Sequence, residues 1–414
     1  MTQTTIKKPV FTGYQKFVIA ILAFLQFTIV LDFMVLSPLS AILLDELSIS
    51  TSQFGLVVSA YAFSAGASGL LASGFADKFD RKKLLLFFYT GFLVGTLLCG
   101  LAPNYHLLVA ARIITGLFGG VIGSIIYAIV TDLFTIDKRG RVMGFVQMAF
   151  ASSQVFGIPF GIFLAERLGW HSPFLLIVGL GAVVYIIIAW KLLPIDEHLA
   201  LQSKSWAIDH MKKTMSNRNY LKGFSVTTLL ATGGFMLMPF GAAFAVNNLG
   251  IPLDQLHWVY MATGIFTMMA GPLAGKLSDR YGKYRIFWIG SVIAIIFITI
   301  YSHLGITPIW IVIILSIFTF IGITSRMVSS QALLTAIPEP KDRGAFMGIN
   351  SSVMQISGGI ASAIAGLIVV QGADGKLSNY PLLGFVVSAT VLITIIMMYF
   401  INRMVVENKQ VREV

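Results

Sequence analysis

Long apolar runs alternate with short charged gaps along nearly the whole chain. A helix needs about 20 mostly apolar residues to cross roughly 30 Å of hydrocarbon, and twelve runs meet that length: 17–43, 54–76, 84–102, 106–132, 142–165, 173–193, 220–246, 256–275, 286–304, 308–335, 345–370 and 382–402. The pattern predicts an all-α membrane protein of twelve transmembrane helices. With an even count, both ends of the chain lie on one side of the membrane. Composition agrees: 57% of residues are hydrophobic and 11% charged, far from the balance of a soluble domain.

Lysine and arginine test the span count, because loops rich in them are retained in the cytoplasm. Of the 29, all but Arg112, Arg167, Arg326 and Lys376 fall at the termini or in the loops on the same side as the termini. The expected location is therefore a cell (inner) membrane, with both termini cytoplasmic. The net charge of +11 is read as orientation against anionic lipid and not as nucleic-acid binding. Cys99, the single cysteine, offers neither a disulfide nor a metal cluster. The first run is too long for a signal-peptide core, so the N-terminus is expected to stay uncleaved. There is no phosphate-cradling glycine loop followed by Lys-Ser/Thr, and no nucleophile–base set at one depth. Neither a cofactor, a metal nor an enzymatic activity is expected.

The chain repeats itself. Phe33-Met34-Val35-Leu36 returns as Phe235-Met236-Leu237-Met238, and Asp77-Lys78-Phe79-Asp80-Arg81 as Asp279-Arg280-Tyr281-Gly282-Lys283, both 202 residues on. Arg139-Gly140 and Met143-Gly144 return as Arg343-Gly344 and Met347-Gly348, 204 residues on. Two homologous bundles of six spans follow, oriented in parallel about an axis along the membrane normal. The expected units are 1–194, a polar cytoplasmic linker at 195–219 with room for a short surface helix, and 220–414.

At these residues the chain resembles a family. Ser73-Gly74-Phe75-Ala76-Asp77-Lys78-Phe79-Asp80-Arg81-Lys82 is similar to the loop signature of the major facilitator superfamily, Gly-x-Leu-Ala-Asp-Arg-x-Gly-Arg-Arg, with Ser73 and Asp80 in place of glycines. Gly275 to Lys283 looks like its second copy. Arg112-Ile113-Ile114-Thr115-Gly116 resembles the family's Arg-x-x-Gln-Gly. Gly157-Ile158-Pro159-Phe160-Gly161, followed by Gly169-Trp170-His171, resembles the antiporter signature of the bacterial drug and sugar efflux branch. The resemblance implies the major facilitator fold and proton-coupled efflux of a small organic compound such as a drug or sugar. The alternative it leaves is a uniporter, or a proton symporter importing a nutrient or organic anion. The implied partners are a small-molecule substrate, protons and the bilayer, with the protein as a monomer. Asp77 and Arg81, with Asp279, Arg280 and Lys283 in the second copy, become candidate gating residues, since acidic loop residues contribute little to orientation.

Ionisable groups inside apolar spans each require a reason, because insertion scales put their cost at about 2.5–3.5 kcal/mol or more. Asp32 lies about fifteen residues into the first span, and its repeat counterpart is Gly234. It is either a structural partner for a cation or a protonatable site, and the resemblance implies the second. Arg112 enters the fourth span by about 10 Å, within reach of Asp32. Arg326 lies deeper in the tenth span. Arginine keeps its proton, so each arginine either binds an anionic substrate, steadies a carboxylate, or, for Arg326, is tied to carbonyls and to hydroxyls such as Ser329 and Ser330.

Polar residues in the spans mark a candidate cavity wall: Gln147 and Gln154, one helical face apart by seven, with Gln331, Asn350, Tyr61 and Tyr127. Phe33, Met34, Phe235 and Met236 would give that cavity soft apolar surfaces. Gly157 and Gly161 permit close helix approach, and Pro159 between them is expected to kink its helix.

Overall fold

The computed structural model describes residues 11–72, 78–197, 199, 207–339 and 342–413. Helices dominate: α1 Gly13–Val35, α2 Ser40–Glu46, α3 Thr51–Ala72, α4 Arg81–Gly100, α5 Tyr105–Leu133, α6 Ile136–Ser152, α7 Ile158–Leu168 and α8 Ser172–Lys191. A linker helix, α9 Ala207–Ser216, leads to α10 Arg218–Leu237, α11 Gly241–Asn247, α12 Leu253–Tyr281, α13 Lys283–Ser302, α14 Ile309–Leu334, α15 Arg343–Ile368 and α16 Tyr380–Glu413. A two-stranded antiparallel hairpin, Val370–Gln371 with Leu377–Ser378, joins α15 to α16. Polar residues set several helix starts. The Thr12 hydroxyl accepts from Gln15 N while the Gln15 side chain accepts from Thr12 N, and Asn104 accepts from Leu107 N at 3.1 Å; both satisfy amides that a first helical turn leaves open.

Eleven described helical segments are long and apolar enough to cross a membrane. The predicted eighth span is present as α12, 29 residues long, which stands outside the eleven because Thr263, Thr267, Gly271, Pro272 and Lys276 dilute it. The twelve segments form two six-helix bundles. One end of the assembly carries most of the Lys and Arg (the basic end); the other, with the turns around residues 36–50, 101–105, 169–172, 248–252, 303–308 and 369–379, is base-poor.

Three spans are broken where the apolar runs read as continuous. The first run does not continue to 43: α1 stops at Val35 and α2 starts at Ser40, with Pro38 between them disfavouring helix in the residue before it. The seventh run breaks in the corresponding place, at a 3-10 turn over Met238–Phe240 containing Pro239. These two breaks face each other. Ser37 Oγ donates to Met238 O, and Ala243 N donates to Ser40 Oγ at 3.2 Å, so the repeat meets itself at the base-poor end. The fifth run splits at a π-helical turn, Ser153–Gly157. Pro159 has no amide proton for the carbonyl four residues back and its ring crowds that carbonyl, so the turn before it widens.

The halves seal along α3 and α15. A Cβ on Gly55 would stand 2.8 Å from Ser362 O, and one on Gly366 would stand 2.7 Å from Thr51 O. Only glycine admits backbones that close. Thr51 Oγ1 donates to Val369 O at 2.5 Å and Ser59 Oγ to Gly359 O at 2.7 Å. On the other flank a Cβ on Gly264 of α12 would lie 3.0 Å from Val155 Cα in the π-helical turn. Val30, Met34, Ile158 and Ile162 of the first half pack with Ala242, Ala245 and Leu256 of the second.

Candidate functional site

Asp32 and Arg112 meet inside the first half. Both are fully buried, and Arg112 Nη1 donates to Asp32 Oδ2 at 2.8 Å. The same nitrogen lies 3.5 Å from Asp32 O. Thr96 Oγ1, from α4, donates to the other carboxylate oxygen at 3.1 Å. Tyr61 of α3 lays its ring 4.5 Å from Arg112 Cζ. Thus α1, α3, α4 and α5 converge on one ion pair: a carboxylate with both oxygens engaged and a guanidinium held on an aromatic face. The Nε and Nη2 of Arg112 are buried without a hydrogen-bond partner. Removing either charge leaves the other stranded in an apolar interior.

Thr28, one turn before Asp32, does not join this cluster. Its hydroxyl donates to Leu25 O at 2.8 Å and lies 3.3 Å from Tyr89 Oη. The apolar residues beside Asp32 reach the second half instead. Phe33 packs on Tyr61 at 5.4 Å and on Phe235 at 5.6 Å between ring centroids. Met34 is buried at the contact between the halves, whereas Met236 is turned into the core.

The polar residues selected as cavity wall divide into two groups. Tyr127 and Gln147 are exposed and face each other, Gln147 Nε2 lying 3.3 Å from Tyr127 Oη, and Gln331 is exposed on α14. Gln154 and Asn350 are buried. Asn350 accepts from Thr227 Oγ1 at 2.5 Å, an interhelical bond within the second half, which corrects its assignment to an open wall. A recess of about 780 Å³ lies between α1 and α6, lined by residues such as Phe24, Phe27, Phe145 and Met148 and flanked by Lys16 and Arg141. None of the residues selected as cavity wall lines it.

Gly157 and Gly161 bring α7 onto α1: a Cβ on Gly157 would be 2.6 Å from Leu31 Cδ1, and one on Gly161 2.9 Å from Val35 Cγ2. Pro159 is buried in the first turn of α7.

Among the gating candidates, Asp77 lies outside the described residues. Arg81 is buried and its Nε donates to Asp132 Oδ2 at 3.0 Å. Asp80 Oδ1 accepts from Lys82 N at 2.8 Å and from Ile195 N at 3.1 Å, while Lys82 Nζ donates to Ala189 O at 2.9 Å. The loop is laced to the ends of α5 and α8. The second copy differs: Asp279 and Arg280 are exposed, Lys283 is half-buried, and Arg280 lies over the ring of Tyr281. Gly282, at φ +98°, makes the turn between α12 and α13; a Cβ there would meet the left-handed penalty.

Arg326 is buried in α14 with its Cζ 5.9 Å from the Phe287 ring. No carbonyl or serine hydroxyl satisfies its Nε and Nη2. Thr96 was not among the candidates read from the sequence; a threonine in an apolar run carries no distinguishing pattern until the helices are assembled.

A twelve-helix, two-bundle fold with an intramembrane ion pair defines a membrane transporter. The family model of the Major Facilitator Superfamily matches residues 22–216 and 223–414, and the chain belongs to that superfamily. It is thus a multi-pass secondary transporter of a small molecule. The MFS-type transporter YceJ of Bacillus subtilis (strain 168) is 23% identical over 89% of this chain and 94% of its own length. A probable sugar efflux transporter of Helicobacter pylori (strain ATCC 700392 / 26695) is 24% identical over 85% of this chain and 86% of its own. Among solved structures, a mutant form of the nucleoside transporter NupG superposes with a TM-score of 0.75 at 14% identity, covering 93% of this chain and 99% of that one. A bacterial homologue of the human lysosomal transporter Spinster, inward-facing and unoccupied, superposes with a TM-score of 0.69 at 16% identity, covering 95% and 97%.

Proposed function

We propose that this protein exports a small organic compound, of the drug or sugar type, in exchange for protons by alternating access, with Asp32 as the proton carrier. One observation carries the reading: the fully buried Asp32–Arg112 pair at 2.8 Å. Intramembrane charges are costly and mark transport pathways. Arginine keeps its proton, so the pair changes charge only through Asp32. Protonating Asp32 frees a buried guanidinium, and the bundle relieves that charge by rearranging or by binding substrate. Asp132, a carboxylate near the end of α5, is engaged by Arg81 and serves the gate together with Asp77.

The basic end is cytoplasmic under this reading, the membrane is the cell (inner) membrane, and both termini are inside. Closure of the base-poor end, where Ser37 and Ser40 bond across the halves, supports an inward-facing state in which Tyr127, Gln147 and Gln331 are exposed. The units are 1–194, 195–219 and 220–414, acting as a monomer. Similarity to the Helicobacter sugar efflux transporter supports export.

The test is transport in proteoliposomes with an imposed pH gradient, across a panel of sugars, amphipathic cations and organic acids. Wild type should concentrate its substrate against a gradient. Asp32→Asn should lose that concentration and keep counterflow exchange. An Asp32→Asn variant that still concentrates substrate moves the coupling to another group.

A further inference from the structure

Among the described residues, the second half holds a buried cation without a counter-ion. The six apolar runs that mark its spans contain no Asp or Glu, and Arg326, 3% exposed, makes no ion pair among the described residues. Arg112 has a carboxylate at 2.8 Å; Arg326 has the ring of Phe287 at 5.9 Å. The position that repeats Asp32 in the second half is Gly234. Each half buries an arginine in a span, Arg112 on α5 and Arg326 on α14, and among the described residues only Arg112 has a carboxylate partner.

The surroundings of Arg326 are built for hydrogen bonding and left unused. Its Nε and Nη2 are sealed from solvent without a partner. Together they form the side-on edge of the guanidinium, the fork that grips a carboxylate through two parallel hydrogen bonds. Ser329 Oγ, one turn further along α14, is also buried and unpartnered, as is Ser291 Oγ on α13. Ser291 follows Gly290, whose Cβ would stand 3.0 Å from Arg326 N. Four of the eight orphaned buried side-chain atoms in the described residues thus belong to two adjacent segments of α13 and α14. Buried polar groups are normally satisfied, and two orphaned guanidinium nitrogens, with an orphaned serine hydroxyl on the same helix and another on the helix packed against it, point to a missing partner.

An approach exists. Gly233 leaves Arg326 Nη1 3.5 Å from where its Cβ would be, and a Cβ on Gly234 would meet nothing within 4 Å. The next residue, Phe235, touches Phe33 across the halves. In sequence, Gly234 stands between Gly233, which approaches Arg326, and Phe235, which touches the other half.

We propose that Arg326, with Ser291 and Ser329, is the recognition point for a carboxylate on the transported molecule, which enters past Gly234. The substrate class is then small organic anions, such as a sugar acid or an acidic drug. This rests on the reading of the chain as a carrier of small organic compounds, and divides the labour: the first half handles the proton at Asp32, the second the charge of the substrate.

The test uses the purified full chain in lipid nanodiscs, titrated with gluconate, lactate and benzoate, with their uncharged partners glucose, lactamide and benzamide, and with chloride. Binding is read by thermal shift and calorimetry. At least one carboxylate should bind while its uncharged partner does not. Arg326→Gln should weaken that binding about thirtyfold or more, the usual consequence of removing one partner of a buried charge pair, and Arg326→Lys should weaken it less. If Arg326→Gln does not yield folded protein, the carboxylate-over-amide preference in wild type and Arg326→Lys decides. Equal binding of carboxylate and uncharged partner, no binding of any carboxylate, or unchanged binding in Arg326→Gln overturns the proposal. Chloride matching every carboxylate also overturns it, marking a resident inorganic ion. Asp32→Asn separates the two readings: carboxylate binding retained with uphill transport lost supports both, whereas both retained removes proton coupling at Asp32 and leaves the anion site standing.

Discussion

Phe33 packs on Phe235 across the two halves at 5.6 Å, one residue after the carboxylate that Arg112 holds. Helix α1 thus presents its charge to the interior of one half and its adjacent ring to the other half. Any rotation of α1 that follows loss of the Asp32–Arg112 bond also disturbs the Phe33–Phe235 contact. The pair also shares Tyr61, which sits under Arg112 at 4.5 Å and against Phe33 at 5.4 Å. Under the proposed exchange mechanism, this would link the charge state of Asp32 to the contact between the halves.

The ion pair should behave as a unit when mutated. Arg112→Gln strands the Asp32 carboxylate and should cost about 3–5 kcal/mol, as breaking a buried pair does. Adding Asp32→Asn to it removes the stranded charge and should recover much of that loss. The comparison is made by thermal unfolding of the two single variants and the double variant in the same detergent. A double variant less stable than Arg112→Gln alone would contradict a paired role.

The seal at the base-poor end depends on glycines at backbone contact. In Gly55→Ala the new methyl would stand 2.8 Å from Ser362 O, and neither backbone yields cheaply. Overpacking of this kind costs about 1–3 kcal/mol, roughly a 5- to 150-fold shift away from the sealed state. Ser40→Cys provides the reporter, since Ser40 is buried at that seal. Its alkylation from the base-poor side should accelerate by that factor when Gly55→Ala is added. Cys99, the one native cysteine, is fully buried and stays silent.

The apolar runs foretold the helices because crossing hydrocarbon leaves a length requirement that any sequence must show. They did not foretell the breaks at Pro38, Pro239 and Ser153–Gly157. There the residues remain apolar and only the backbone geometry changes, so hydropathy does not register the difference. The approach of Arg112 to Asp32 was legible from depth alone. Thr96 was not, since it reaches Asp32 only through the rotation of α4 about its own axis. Asn350 read as a cavity residue because an amide in an apolar run must have a partner; the partner is Thr227, 123 residues away, and nothing in the local pattern distinguishes it from substrate.

The two loop motifs should carry unequal weight. Arg81 is buried on Asp132, whereas Asp279 and Arg280 are exposed, where an ion pair is worth about 0–1 kcal/mol. Asp132→Asn and Arg81→Ala should each slow turnover severalfold without changing substrate affinity, and the double variant should be no slower than the worse single one. Asp279→Asn should cost less than twofold. Transport assays on the four variants check this; equal losses at Asp279 and Asp132 would contradict the asymmetry.

Topology provides the last expectation. Lys376 lies in the turn of the hairpin between α15 and α16, exposed at the base-poor end, while Lys212 is exposed on α9 at the basic end. If basic loops are held in the cytoplasm, Lys376→Cys in whole cells should react with a membrane-impermeant maleimide and Lys212→Cys should react only after the cells are opened. Cys99 again contributes no background. Reaction of both from outside would place the linker and the hairpin on one side, reverse the assignment of the sealed end, and remove the inward-facing reading along with it.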